Sequence, residues 1–177
     1  NSAVKNFLAV KSFFKKLHNY ASVLKIELSK GKDFVMPNYN VFPDYKTRKE
    51  IINELCDRYK FIKHCFAGKS VCGRGIDVLH IGNTKNRVLY CGGFHGSEYL
   101  TILALLKFFE ECCEAMESDK TVGGCKIGNF LSIRGLTIVP CVNPDGTEIA
   151  LHGSDAAFKY KPLVEKVCTD TYKWQAN

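Results

Sequence analysis

Apolar residues recur at two spacings along the chain, and each spacing predicts a different element. Apolar residues repeat every three or four positions, as helices require, over residues 3–20, 46–60 and 97–117. Shorter apolar or alternating runs predict strands over residues 23–28, 61–67, 76–81, 87–90 and 136–142. Strands that alternate with helices predict an α/β fold with a mixed, largely parallel sheet flanked by helices.

Glycine, proline and asparagine mark the breaks between these segments. Residues 29–44 are rich in all three and predict a linker. We therefore divide the chain into an amino-terminal helical extension, residues 1–44, and one domain, residues 45–177. Residues 121–134 predict a loop that leads into a short helix, and residues 147–173 predict mixed helix and loop.

Charge changes this picture only modestly. The chain has 177 residues, of which 46% are hydrophobic and 24% charged, with a formal net charge of +7, as in an ordinary globular protein. A basic balance suits nucleic acid, an anionic membrane surface or an anionic cell-wall substrate. No nucleic-acid motif is present, so we expect no nucleic-acid partner.

The sequence contains no run of eighteen apolar residues, so we expect no transmembrane segment. The first helix is basic and amphipathic, and we expect it to pack against its own domain rather than against a membrane or a partner.

Nine cysteines occur at irregular spacing without a Cys-x-x-Cys pair. Several lie in apolar runs, where cysteine behaves as a small hydrophobic residue. We therefore expect mostly buried, reduced thiols and a cytoplasmic location. The first residue is Asn1 rather than Met, so secretion after removal of a signal is the alternative.

The stretch that begins at Val88 carries the candidate chemistry. A strand-like run ends in Gly92 and Gly93, and His95 and Glu98 then precede a long helix. Ligands of open α/β sheets bind beyond the carboxyl ends of strands, and an imidazole nitrogen with a carboxylate oxygen suits zinc. A surface histidine followed by a glutamate in the first helical turn is the alternative.

The other histidines are weaker candidates. His64 and His80 fall in predicted strands, where we expect sheet residues with ordinary partners, and we do not expect His152 to contact a metal. Arg74 lies in the predicted turn between two strands, where we expect a solvated residue. The sequence Asn143-Pro-Asp-Gly146 predicts a turn after the apolar run 136–142.

Three motifs in order resemble the zinc metallocarboxypeptidases. These are the Gly-x-Ser-x-x-Gly-Arg-x-Ile-like hairpin at residues 68–82, the His95 and Glu98 loop, and the Asn143-Pro-Asp-Gly146 turn. Within that family the chain is most similar to the bacterial branch that cleaves γ-D-glutamyl-diamino-acid bonds in peptidoglycan peptides. The resemblance covers roughly residues 45–177.

The resemblance implies a carboxypeptidase A-like fold and a zinc ion bound by His95 and Glu98. In the family, an Asn-Arg pair, a third histidine ligand and a general-base glutamate follow later, and none of these motifs is present here. We therefore expect a domain truncated at its carboxyl end, without assigned catalytic or substrate-binding residues. Ser97 and Gln175 stand where parts of the family have arginine or lysine.

Three functions agree with these residues. The first is a zinc peptidase acting on peptides, including those of the cell wall, present as an inactive fragment. The second is a binding module that keeps the fold to recognise peptide or wall ligands. The third is a zinc deacylase that shares the His-x-x-Glu pair. A downstream Asn-Arg pair, histidine and glutamate would select the peptidase, and their absence would select the binding module.

Overall fold

The computed structural model describes residues 37–168 and 170–175. The predicted helix over 3–20 and the predicted strand over 23–28 lie outside these residues. The chain forms five α-helices within the described part: α1 Tyr45–Arg58, α2 Leu100–Ser118, α3 Ile127–Ile133, α4 Pro144–His152 and α5 Lys161–Val167. Two 3-10 helices, Ser154–Tyr160 and Thr171–Lys173, flank α5.

Six strands are described: β1 Lys63–Lys69, β2 Gly75–Ile81, β3 Arg87–Cys91, β4 Thr121–Val122, β5 Cys125–Lys126 and β6 Gly135–Val139. Four of them form a sheet in the order β1-β2-β6-β3, and β4 pairs with β5. The β1–β2 and β2–β6 pairs are antiparallel, whereas β3 and β6 run parallel. The mixed α/β class is thus confirmed, although one parallel pair among the described strands is fewer than "largely parallel" implies.

One face of the sheet carries the core. Leu79 pairs with Ile138 and Ile81 pairs with Leu136, and all four side chains are buried. Helices α1, α2 and α3 cover this face with apolar residues at helical spacing, among them Ile52, Leu55, Ile102, Leu106, Phe109 and Leu131. The hydrophobic periodicity that predicts α1 and α2 is therefore the pattern of residues in the core.

The opposite face is more open. Residues that pair in register share a face of the sheet, so His80, Thr137 and Leu89 lie together on the side away from these core pairs. Leu89 is 59% exposed, and Cys65 and Cys91 are exposed as well. Of the nine cysteines, all free, only Cys112, Cys113 and Cys141 are buried. The expectation that most thiols are buried is wrong, because several belong to this open face or to loops.

Two local predictions also need correction. Residues 121–126 form the small β4–β5 hairpin rather than a plain loop, since Gly123 and Gly124 both adopt positive φ between the strands. The Asn143-Pro-Asp-Gly146 sequence does not form an isolated turn but begins α4, with Asn143 as the N-cap. Within the described residues, no helix combines the length and the apolar character needed to cross a membrane.

Candidate metal site

The loop after β3 is held at the carboxyl end of the parallel pair. Cys91 pairs with Val139, so both strands end at the same edge of the sheet. The backbone N–H groups of Val142 and Asn143 donate to the carbonyls of Gly92 and Gly93, each at 2.9 Å. The Gly93 N–H donates to the hydroxyl of Thr101 in α2, also at 2.9 Å. The loop is therefore attached both to the segment that follows β6 and to the helix after it.

His95 and Glu98 project from this loop toward each other. The Glu98 N–H donates to the His95 carbonyl at 3.1 Å, which forms a turn and brings the two side chains to the same side. Nδ1 of His95 lies 3.0 Å from Oε1 of Glu98, and the two side chains are 42% and 48% exposed. The sequence-based expectation that these side chains converge is confirmed. Their role as metal ligands stays a prediction.

The contact between the two side chains is not a hydrogen bond. Nδ1 of His95 is buried and, among the described residues, has no hydrogen-bond partner despite the nearby carboxylate. A buried polar atom without a partner is costly. A cation between Nδ1 and the carboxylate would satisfy both atoms, and ligand atoms about 2 Å from one zinc ion lie roughly 3 Å apart. The two residues therefore fit zinc.

Glycines allow two chain segments to pack directly on this loop. A Cβ on Gly96 would overlap the carbonyl oxygen of Gly146 and would lie 3.0 Å from the carbonyl of Trp174. The Ser97 N–H donates to that same Trp174 carbonyl at 3.1 Å. The start of α4 and the Trp174 segment thus both pack against Gly96, and both limit its movement.

Asn143 fixes the loop from the side of α4. Its Oδ1 accepts the Gly146 N–H at 2.8 Å, which caps the helix, and its Nδ2 donates to the Phe94 carbonyl at 3.1 Å. The asparagine therefore orients the residue before His95. The sequence alone assigns it only to a turn.

Ser97 and Gln175 form a neutral rim beside the two candidate ligands. The carboxamide of Gln175 donates to the hydroxyl of Ser97. The resemblance described above implies a cation at these two positions in parts of the family, whereas both side chains are neutral here.

Arg74 has a structural role that the sequence-based interpretation missed. The expectation of a solvated residue is wrong, because Arg74 is buried and donates to the Asp145 carboxylate at 2.7 Å and to the Ala156 carbonyl at 2.8 Å. Burial raises the pKa of Asp145, but hydrogen bonds from Cys72, Arg74 and Ser70, with the arginine charge, outweigh burial and lower that pKa. Asp145 is ionised and joins the hairpin to α4.

The remaining histidines lie in other surroundings. His80 contacts the Thr137 hydroxyl at 2.8 Å, and burial lowers its pKa. His64 contacts Asp77 at 2.7 Å, so both are sheet residues with partners, as expected. His152 lies 3.3 Å from Asp44. Over residues 37–168 and 170–175, no group of three or more His, Cys, Asp or Glu side chains is arranged to hold a metal.

Known proteins are similar to this chain in sequence. The chain is 29% identical over 137 residues to γ-D-glutamyl-L-diamino acid endopeptidase 1 of Lysinibacillus sphaericus, a match that covers 76% of this chain and 35% of that protein. It is 33% identical over 108 residues to carboxypeptidase E of Caenorhabditis elegans, which covers 56% of this chain and 21% of that protein. The chain thus spans about a third or less of these relatives.

Solved structures share the fold. Bovine thrombin-activatable fibrinolysis inhibitor, in complex with tick carboxypeptidase inhibitor, superposes with a TM-score of 0.57 at 18% identity, covering 78% of this chain and 38% of that one. Carboxypeptidase A of Helicoverpa armigera gives 0.53 at 21% identity, covering 83% and 35%. The family model described as zinc carboxypeptidase matches residues 48–171, and the chain therefore belongs to the zinc carboxypeptidase family.

Proposed function

We propose that this chain supplies the metal-binding loop of a zinc-dependent peptidase, with His95 and Glu98 as two protein ligands of the ion. The observation that carries the proposal is the buried Nδ1 of His95, which lacks a hydrogen-bond partner in the described structure although it lies 3.0 Å from the Glu98 carboxylate. Family membership supports the choice of zinc.

Bound zinc would supply Lewis acidity, which polarises a peptide carbonyl and lowers the pKa of water to about 7. The residues around the loop hold the side chains of His95 and Glu98 in place. The Gly96 backbone, packed against Gly146 and Trp174, limits movement of the loop, and Asn143 anchors its first residue. Two protein donors bind zinc weakly, because catalytic sites usually have three. We assign no general base to residues 37–168 or 170–175.

The proposed substrates are peptides, including γ-D-glutamyl-diamino-acid peptides of the cell wall. The name of the Lysinibacillus relative supports this class. The neutral Ser97 and Gln175 rim agrees with it in part, since neither side chain supplies a cation that would favour a free carboxylate. We also propose that residues 1–44 form an extension to a domain over 45–177, and that the protein is cytoplasmic, where nine free thiols remain reduced.

The first test is zinc binding by isothermal titration calorimetry, combined with the visible spectrum of the cobalt-loaded chain. We expect His95→Gln and Glu98→Gln each to weaken binding by at least about tenfold and to change the cobalt spectrum. His152→Gln is the matched control, because that ring is exposed and pairs with Asp44 instead. Equal zinc affinity in all four proteins would contradict the assignment of His95 and Glu98.

Peptide binding by the same chain, measured with and without a chelator, distinguishes a peptidase from a binding module. Binding of a γ-D-glutamyl-diamino-acid peptide that depends on zinc and is lost with a chelator supports the metal-centred function. Binding that is unchanged by chelator and by His95→Gln would instead support a recognition module on the same fold.

A further inference from the structure

Thr101 lies beside the loop that carries His95 and Glu98, as the second residue of α2, and it is exposed. Its hydroxyl forms two hydrogen bonds. It accepts the Gly93 N–H at 2.9 Å and donates to the Glu98 carbonyl at 2.7 Å. A single oxygen atom therefore joins the two ends of the segment 93–98.

The second of these bonds is an ordinary feature of helices, whereas the first is not. A threonine in a helix often donates to a carbonyl three or four residues before it. Gly93, however, lies before the loop and outside the helix, so its bond to Thr101 crosses the whole loop. The N-cap residue of α2, Tyr99, contributes no side-chain hydrogen bond of its own. Thr101 thus supplies a side-chain contact that attaches this helix start to the loop.

The backbone of Glu98 is fixed on both sides. Its carbonyl accepts the Thr101 N–H at 3.1 Å as well as the Thr101 hydroxyl. Its own N–H donates to the His95 carbonyl at 3.1 Å. A continuous series of hydrogen bonds therefore runs from Gly93 through Thr101 and Glu98 to His95, and bonds in such a series strengthen one another.

Gly93 is a fixed point from which this series starts. Its carbonyl accepts the Asn143 N–H at 2.9 Å, and the Cys141 thiol lies 3.9 Å from the same oxygen. A Cβ on Gly93 would lie 3.0 Å from the Cys141 sulfur, so this residue is packed closely as well as bonded. Because Gly93 is held in this way, the Thr101 hydroxyl fixes Glu98 relative to the end of the sheet.

We propose that Thr101 is a positioning residue for the candidate metal site, an inference that rests on the proposed binding of zinc by His95 and Glu98. Through Gly93 and the Glu98 carbonyl, it keeps Nδ1 of His95 and the Glu98 carboxylate 3.0 Å apart in the metal-free chain. Donors that are already in place lose less conformational freedom when an ion binds, which raises the affinity. Thr101 acts through backbone groups and is not itself a ligand.

Thr101→Val tests this role, because valine keeps the branched shape of threonine and removes the hydroxyl. Thr101→Ser is the conservative variant, since serine also donates and accepts with one oxygen. Thr121→Val is the matched control, because it makes the same change at an exposed residue of the β4–β5 hairpin. Thermal unfolding followed by circular dichroism shows whether each variant is folded, and Thr101→Ala replaces Thr101→Val if the latter is not.

Three measurements follow the effect. We expect Thr101→Val to weaken zinc binding in calorimetry by about three- to tenfold, as the loss of a supporting hydrogen bond does. The visible spectrum of the cobalt-loaded chain should change, because the geometry of the donors changes. In the metal-free chain, the Gly93 amide hydrogen should exchange faster with solvent by nuclear magnetic resonance. Thr101→Ser should be close to the native chain in all three, and Thr121→Val should equal it.

The outcomes distinguish this proposal from the proposed function. If the native chain binds zinc and Thr101→Val has the same affinity and cobalt spectrum, Thr101 does not position the site, although His95 and Glu98 remain its ligands. Zinc binding by Thr101→Ser as weak as that by Thr101→Val would also overturn the role of the hydroxyl. Unchanged exchange at Gly93 in Thr101→Val would refute the connection through that residue. A native chain that binds no zinc would instead refute the proposed function itself.

Discussion

Asp145→Asn removes the charge that joins the β1–β2 hairpin to α4 while it keeps the size of the side chain. In the native chain, Asp145 accepts hydrogen bonds from the Ser70 hydroxyl at 2.8 Å, the Cys72 N–H at 2.8 Å and the Arg74 guanidinium at 2.7 Å. Asparagine offers one oxygen in place of two, and its amino group would face donors. We therefore expect a marked loss of stability.

The size of that loss follows from burial. The side chains of Arg74 and Asp145 are 9% and 14% exposed, so the pair is only slightly screened by water. Breaking a buried pair by removing one partner costs about 3–5 kcal/mol, because the remaining charge is left uncompensated. Glu148 lies 4.0 Å from the same guanidinium and offsets part of this cost. We expect the free energy of unfolding to fall by roughly 3 kcal/mol, or the melting temperature by about 10 °C.

The effect should depend on pH. Because the pKa of Asp145 is lower in the folded chain than in the unfolded one, its contribution to stability is complete above about pH 4. That contribution is lost as the pH falls through the folded-state pKa. The difference between the native chain and Asp145→Asn should therefore be full at pH 7 and should shrink in acid.

The measurement is urea unfolding at pH 7 and at pH 3.5, followed by circular dichroism and by fluorescence of Trp174, the single tryptophan. Asp155→Asn is the matched control, since it removes an exposed partner of Lys161 and should change the free energy of unfolding little. A loss for Asp145→Asn no larger than for Asp155→Asn would refute the argument that a buried pair holds the hairpin to α4.

Three further outcomes are expected. Gly96→Ala should weaken zinc binding by about tenfold or more, because its Cβ would displace the loop from Gly146. Gly68→Ala is the control, since a Cβ there has no neighbour within 4 Å, and its zinc affinity in calorimetry should be unchanged. An exposed apolar side chain on an edge strand favours self-association, and Leu89 lies on β3, an edge strand of the described sheet. Leu89→Lys should therefore lower the light scattering from self-associated protein, and unchanged scattering would contradict a role of Leu89 in self-association. With zinc added, the 177-residue chain should show no chelator-sensitive peptide hydrolysis, because we assign two ligands and no general base within the described residues. Turnover above that of the chelated control would contradict this expectation.

Local signals in the sequence predict the parts of the fold that depend on near neighbours. The periodicity over 46–60 and 97–117 reflects the faces of α1 and α2 that enter the core. His95 and Glu98 are three residues apart on one turn, so their convergence needs no distant contact. The β4–β5 hairpin could also have been found, since a Gly-Gly pair such as Gly123 and Gly124 is a signal for a two-residue hairpin turn.

Contacts between distant residues explain what the sequence did not reveal. Arg74 reads as a solvated turn residue, because its partner Asp145 is 71 positions away. The exposure of Cys65 and Cys91 depends on which face of the sheet the helices cover, and alternation alone does not identify that face. Phe158 likewise adopts a positive φ of 53°, a backbone conformation that its residue type does not predict.

The start of α4 explains why the three motifs occur together. Asn143 and Asp145 lie on either side of Pro144, whose ring fixes φ at the first position of the helix. Asn143 reaches the Phe94 carbonyl of the metal loop, and Asp145 reaches Arg74 of the hairpin. A single helix start therefore sets the positions of both motifs. Displacing α4 would therefore move the candidate zinc ligands and break the contact between Arg74 and Asp145 at the same time. The Asn-Pro-Asp-Gly sequence thus positions the candidate site and does more than end a strand.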